Sequence, residues 1–145
     1  MQLRDLTPEE MPTARALLAA CALPTEDLDD PTITLVGAFE GASLLGVIGL
    51  QACGELGLLR SLAVGPAHRG DGIARALCEH VFELAVSRSM QALWLLTTTA
   101  EAYFARLGFQ PVPRDAVPER IAATRELTSL CPSSARVMRL APLRG

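Results

Sequence analysis

Apolar positions recur along this chain with two periods, and the switch between them marks its elements. Residues 32–39 and 43–52 are apolar runs of strand length joined at Glu40-Gly41-Ala42, a hairpin signal. After a turn at Gly54, the run Leu56–Val64 (LGLLRSLAV) reads as the next strand. The period then changes. Ile73, Leu77, Val81 and Leu84 fall at i, i+4, i+8 and i+11, one face of a 3.6-residue repeat. Ala92–Thr97 reads as a buried strand and residues 134–140 as the last one. At the start, residues 2–6 read as a first strand, and Met11, Ala14, Leu17, Leu18 and Cys21 give the following helix its apolar face. Thr7 is the expected N-cap of that helix, with Pro8 at its first position. A helix over 100–107 ends at Gly108, a C′ glycine, while Pro24–Leu28 and 117–123 read as short helices. Antiparallel strands first, then a helix, then a buried strand describe an α+β fold. Its mixed, mostly antiparallel sheet has a splayed central strand pair and flanking helices.

Between the strand at 56–64 and the helix from Ile73 lies Arg69-Gly-Asp-Gly-Ile-Ala74, which has the chemistry of a diphosphate cradle. Glycines at 70 and 72 let backbone N–H groups turn toward a ligand, with no Cβ in the way. The helix that follows leaves its first N–H groups unpaired and carries roughly half a positive charge at that end. Arg69 adds a mobile cation. The alternative is a plain strand-to-helix turn, in which the glycines only permit a tight reversal. The loop is not a Walker loop, because no Gly-Lys-Ser/Thr follows. It is not a dinucleotide fingerprint either, since position 75 is Arg75.

Composition narrows the classes. A chain of 145 residues is expected to form one domain, residues 1–145, around one core. Half of its residues are hydrophobic, yet no apolar run reaches the roughly 18 residues of a membrane span. The start, MQLRDLTPEEM, lacks the basic and apolar regions of a signal peptide. That also sets aside the cell-adhesion reading of Arg69-Gly-Asp71. A net charge of −3 and a pI near 5.4 argue against a nucleic-acid partner. The four cysteines (21, 53, 78 and 131) are scattered and without metal spacing, as expected of reduced thiols in a cytoplasmic protein. His68 and His80 have no serine or cysteine nucleophile arranged around them in the sequence.

Residues 62–74 (LAVGPAHRGDGIA) resemble the acetyl-CoA-binding motif of the GCN5-related N-acetyltransferases, the GNAT family. That motif, Arg/Gln-x-x-Gly-x-Gly/Ala, is met by Arg69, Gly72 and Ala74. The resemblance implies the GNAT fold, acetyl-CoA as cosubstrate, no metal and a possible homodimer. It places Arg69, Gly70, Asp71, Gly72, Ile73 and Ala74 around the cofactor's pyrophosphate and Leu62, Ala63 and Val64 along its pantetheine arm. A second region, 93–109 (LWLLTTTAEAYFARLGF), corresponds to the family's Asn-x-x-Ala-x-x-x-Tyr followed by Gly-Phe. Counting back from Gly108-Phe109 puts Phe104, beside the cofactor, in the place of the usual thiol-protonating tyrosine, and Thr97 in that of the asparagine. Tyr103 is the neighbour, turned by about 100° on the helix.

The same departure resembles one branch, the acetyltransferase domain of bacterial N-acetylglutamate synthases. The chain is more similar still to the arsenic-resistance N-acetyltransferases of the ArsN type, at residues 57–64, 95–104, 121–127 and 130–135. That relation implies acetylation of the α-amine of a glutamate-like amino acid, which for some members is the arsenical arsinothricin. The partner implied is a small amino-acid-like molecule, with no nucleic acid and no membrane.

The residues can be matched to the steps of acetyl transfer. Glu55 is the best carboxylate for a general base, directly or through a water, or else an exposed turn residue. Backbone N–H groups at Leu62 to Val64 are the expected oxyanion donors. Arg60 either holds an acidic group of the substrate or pairs with a carboxylate structurally. Ser61, Thr97 and Thr98 either offer hydroxyls to the substrate or are plain strand residues. Cys131 either meets arsenic or is core. A non-catalytic domain that senses acetyl-CoA or an arsenical is the alternative that Phe104 keeps open.

Overall fold

The computed structural model describes residues 1–143. Its strands are β1 (Gln2–Asp5), β2 (Ile33–Glu40), β3 (Ser43–Cys53), β4 (Leu56–Val64), β5 (Ala92–Thr97), β6 (Gln110–Val112) and β7 (Arg136–Leu140). The helices are α1 (Met11–Ala20), α2 (Ile73–Ser87), α3 (Glu101–Arg106) and α4 (Glu119–Ala122). The seven strands form a sheet in the order β1-β2-β3-β4-β5-β7-β6. β1 with β2, β2 with β3, β5 with β7 and β6 with β7 are antiparallel, whereas β4 and β5 run parallel. This is the mixed, mostly antiparallel sheet that the pattern predicts.

The chain divides into two compact units: residues 1–51 with 59–84, and residues 52–58 with 85 onward. In the first, Ala14 and Leu18 of α1 pack with Leu28, Leu35, Val47 and Ala63. In the second, Cys53, Leu58, Ala92 and Trp94 pack with Ile121 and Val137. β4 contributes to both units. Within the second unit its parallel register with β5 runs from Leu56↔Ala92 to Leu58↔Trp94.

Local chemistry sets the edges of the elements. The Thr7 N–H donates to Glu10 Oε1 at 2.9 Å, and a short 3₁₀ turn over Pro8–Glu10 leads into α1. On α2 the periodic residues Ile73, Leu77 and Val81 are buried, with Cys78 beside them, and Leu84 is half-buried. Burial, with Glu79 adjacent, pushes the Cys78 thiol up to about 12. Close packing of α2 depends on a missing side chain: a Cβ on Gly46 would fall 3.0 Å from the Ala63 carbonyl oxygen and 3.2 Å from both Ile73 and Leu77.

The helix expected at Pro24–Leu28 is not formed; that stretch is coil and turn. Backbone turns take its place: the Leu28 N–H reaches the Thr25 carbonyl at 3.5 Å and the Asp30 N–H donates to the Asp27 carbonyl at 3.0 Å. Just beyond, Asp30 Oδ1 accepts from the Thr32 N–H at 2.8 Å and from the Thr32 hydroxyl at 2.7 Å. The expected helix at 117–123 is reduced to one turn, α4, after Pro118. β6 and a π-helical turn at Glu126–Leu130 were not anticipated. Among the described residues, no helix is long and apolar enough to cross a membrane.

Candidate active site

A departure from regular pleat marks the middle of β4. Ser61 has φ +58°, a left-handed conformation that a residue with a Cβ rarely adopts. Such a residue breaks the regular pleat and bends the strand at that point. Arg60, immediately before, has a side chain with no solvent exposure. Its Nη1 donates to Asp27 Oδ2 at 2.6 Å and to Gln51 Oε1 at 3.0 Å, and its Nη2 donates to Asp27 Oδ1 at 2.5 Å. The Arg60 Nε donates to the Ser61 hydroxyl at 3.2 Å. Four donor contacts therefore hold this guanidinium inside the first unit.

The strand leads directly to the glycine loop. The Gly65 N–H donates to the Leu45 carbonyl at 2.9 Å, and a 3₁₀ turn follows at Pro66–His68. Gly70 (φ +88°) and Gly72 (φ +80°) both need left-handed backbone. A Cβ on either would meet nothing within 4 Å, so the space above them is open. Residues 69–72 are exposed, and Ile73 behind them is buried. The Gly72 carbonyl accepts from the Ala76 N–H at 3.1 Å, which leaves the first N–H groups of α2 facing the loop. Arg69 is folded back: its Nε donates to the Val64 carbonyl at 3.2 Å, and its Nη2 lies 3.7 Å from Cys21 Sγ. Left-handed glycines under open space at the start of a helix, with Arg69 beside them, could hold an anion; Asp71, in the same loop, is exposed.

The second unit holds the remaining expected residues. Thr97, half-buried, accepts from the Ala100 N–H at 3.0 Å and so starts α3, while Thr98 is exposed. Phe104 is buried, edge-on to Tyr103 at 5.4 Å and to Phe109 at 5.8 Å. The Tyr103 hydroxyl is itself buried. Glu55 is exposed and accepts from Gln91 Nε2 at 3.0 Å. It stands at the rim of a cavity of about 710 Å³ that Leu56 and Arg120 also line.

Comparison with known proteins follows from this geometry. The profile of the Acetyltransferase (GNAT) family matches residues 2–109. The chain belongs to the GNAT acetyltransferase family. Streptothricin acetyltransferase of Streptomyces lavendulae is 32% identical over 88 residues, 58% of this chain and 47% of that protein. The uncharacterized N-acetyltransferase YedL of Escherichia coli (strain K12) is 29% identical over 85 residues, 58% of this chain and 54% of that one. The chain thus spans about half the length of the curated relatives it matches. Among solved structures, Rv2747 of Mycobacterium tuberculosis, in complex with CoA, matches with a TM-score of 0.83 at 22% identity, covering 99% of this chain and 100% of that one. N-acetylglutamate synthase of Neisseria gonorrhoeae, complexed with coenzyme A and N-acetyl-glutamate, matches with a TM-score of 0.82 at 19% identity, covering 99% of this chain and 35% of that one. Both share the GNAT fold with this chain.

Of the residues singled out in the sequence, the first unit brings together Arg60, Ser61, Leu62, Ala63, Val64 and the 69–74 loop; Glu55, Thr97, Thr98 and Phe104 belong to the second. Of the two readings of Arg60, the structure shows the pairing with a carboxylate, Asp27. Glu55 is exposed and accepts from Gln91. Sequence reasoning missed Asp27 and Gln51. A lone arginine inside an apolar strand was the available signal, because a buried charge demands a partner. The acidic run 26–30 was the place to look. Among the described residues, no group of three or more His, Cys, Asp and Glu is arranged to hold a metal ion.

Proposed function

We propose that the whole chain acts as one acetyl-CoA-dependent N-acetyltransferase domain. Its acceptor is the α-amine of a small amino acid or glutamate analogue, with the arsenical arsinothricin among the candidates. The observation that carries this reading is the left-handed Gly70 and Gly72 under open space at the start of α2. That cradle takes the cofactor's diphosphate on backbone N–H groups, with Ile73 and Ala74 opening the helix and Arg69 swinging out from Val64 to meet the second charge. The pantetheine arm then runs along Leu62, Ala63 and Val64 beyond the kink.

The amine nitrogen attacks the thioester carbonyl carbon and forms a tetrahedral oxyanion, which the N–H groups past Ser61 receive. Its collapse breaks the C–S bond, and the electron pair leaves on sulfur. The amine gives its proton to water, and the acceptor enters neutral. Phe104 has no proton to offer the leaving sulfur. A free thiol has a pKa of about 8.5, so a thiolate can depart unaided near neutral pH. General acid catalysis is worth roughly 10²–10⁴-fold, and a modest turnover survives its absence.

One observation favours a second reading, a sensor that binds acetyl-CoA or an arsenical without turnover: Phe104 is sealed among aromatic rings where the family carries its acid. Thiol release from acetyl-CoA, measured with the standard amino acids, glutamate analogues and arsinothricin, separates the two. Release with an α-amine supports the acetyltransferase. Tight acetyl-CoA binding by calorimetry with no release above the uncatalysed rate supports the sensor. In the active case, kcat/KM should rise toward the pKa of the amine itself, and Glu55→Gln should leave that profile unchanged.

A further inference from the structure

We propose that the Asp27–Arg60 ion pair is a positioning device for acetyl transfer, fixing the kink of β4 and tying the 22–31 connection to it. The inference rests on the acetyltransferase reading above. Three separate segments meet at this guanidinium: Asp27 from the connection after α1, Gln51 from β3, and Ser61 on β4 itself. Asp27 is 4% exposed, Arg60 3%, Gln51 6% and Ser61 6%. The neighbouring strand makes room for the assembly. A Cβ on Gly49 would fall 3.2 Å from Arg60 Cγ and 3.3 Å from its carbonyl oxygen.

Backbone strain of the kind seen at Ser61 persists only where its surroundings over-determine it. Here the over-determination is explicit, because the residue before the kink is held by a two-point fork and its Nε holds the Ser61 hydroxyl. A buried ion pair is a weak device for stability alone, since a well-packed apolar pair of similar volume often serves as well or better. What the fork adds is direction. Two parallel N–H···O bonds fix distance and angle at once, which packing does not. The direction so fixed is that of the backbone leaving Ser61, whose next N–H groups receive the oxyanion. Asp27 and Arg60 are therefore positioning residues that act through Ser61 and Leu62.

The test replaces the pair by packing. Asp27→Leu/Arg60→Met should fold with an unchanged Tm and bind acetyl-CoA within threefold of wild type, while kcat falls thirtyfold or more. Turnover is read with whichever amine of the panel the wild type acetylates, so a negative result for glutamate alters the substrate and leaves this test standing. A double variant that keeps kcat within threefold makes the pair merely structural and overturns the proposal. If the double variant does not fold, Arg60→Lys decides, since it keeps the charge and loses the fork. A drop of tenfold or more in kcat at unchanged Tm and cofactor affinity supports positioning, and full kcat overturns it. If the wild type acetylates no amine of the panel, the acceptor reading fails separately. The clamp is then read by amide hydrogen exchange at residues 61–64: faster exchange in whichever of these two variants folds, at unchanged Tm, supports it, and unchanged exchange overturns it.

Discussion

Arg60 and Arg69 stand nine residues apart in the same unit, and their surroundings are built on opposite terms. Around Arg60 the donors are closed: four contacts, no exposed side-chain surface and a carboxylate fork in place. Around Arg69 the chain adopts left-handed glycines, exposes them and leaves the start of a helix with donors to give. A site left open is one that a ligand completes. A site already closed can act only on the backbone beside it. On the function and the inference proposed above, the difference separates the residue that meets the cosubstrate from the residue that shapes the strand.

The severest break of this contrast is Arg60→Ala. It strands the Asp27 carboxylate in a buried site, a loss of about 3–5 kcal/mol for a broken buried pair. Urea unfolding should show it as a lower midpoint with the slope retained, and a midpoint equal to wild type would show that Asp27 finds water instead. Gly72→Glu strikes the open side. It should weaken acetyl-CoA binding by roughly a hundredfold or more in calorimetry, because a carboxylate then stands in the cradle and repels the diphosphate. Undiminished affinity would move the cofactor elsewhere.

A finer change sharpens the open side. Asp71 is an exposed carboxylate within a loop read as an anion cradle. Asp71→Asn should tighten acetyl-CoA binding by about three- to fivefold at low salt, and the gain should shrink in 0.5 M salt as exposed charges are screened. Tyr103→Phe should leave kcat within about threefold, as expected when no tyrosine protonates the thiolate. A loss of a hundredfold with the alkaline limb removed would name Tyr103 as the acid.

The smallest effect belongs to a half-buried surface pair, the counterpart of the buried one. Arg4 donates to both Glu10 oxygens, at 2.8 and 2.7 Å. That bond, with the Thr7 N–H, pulls the Glu10 carboxyl from 4.5 down to about 2. A carboxyl lowered on folding stabilises above its unfolded pKa, and its contribution is lost as pH falls from about 4.5 through 2. Glu10→Gln should therefore flatten the pH dependence of the urea midpoint within that window and lower the midpoint at pH 7 by the small amount that the wild type loses across it.

What was legible in the sequence follows the range of the interactions. The hairpin at 40–42, the strands at 56–64 and 92–97, the face of α2 and the glycine loop are all set by residues close in the chain, and they stand where the periods put them. Asp27 and Arg60 are separated by 33 positions, and no local pattern joins them. In place of the short helix expected at Pro24–Leu28 stand backbone turns, in which the Leu28 N–H reaches the Thr25 carbonyl and the Asp30 N–H donates to the Asp27 carbonyl. β6 escaped notice because three residues, one of them Pro111, are too few to display a period.

The packing at Gly46 has a consequence for libraries of variants. A side chain there presses on β4 and on the first turns of α2, so selection for folding alone should purge nearly every substitution at position 46. At Gly72 an added atom meets empty space, and the residue carries only the strain of left-handed backbone, which asparagine tolerates best. Folding selection should therefore let position 72 drift, whereas selection for turnover should close both positions. The gap between the two tolerance maps would trace the outline of the cosubstrate on the protein, one position at a time.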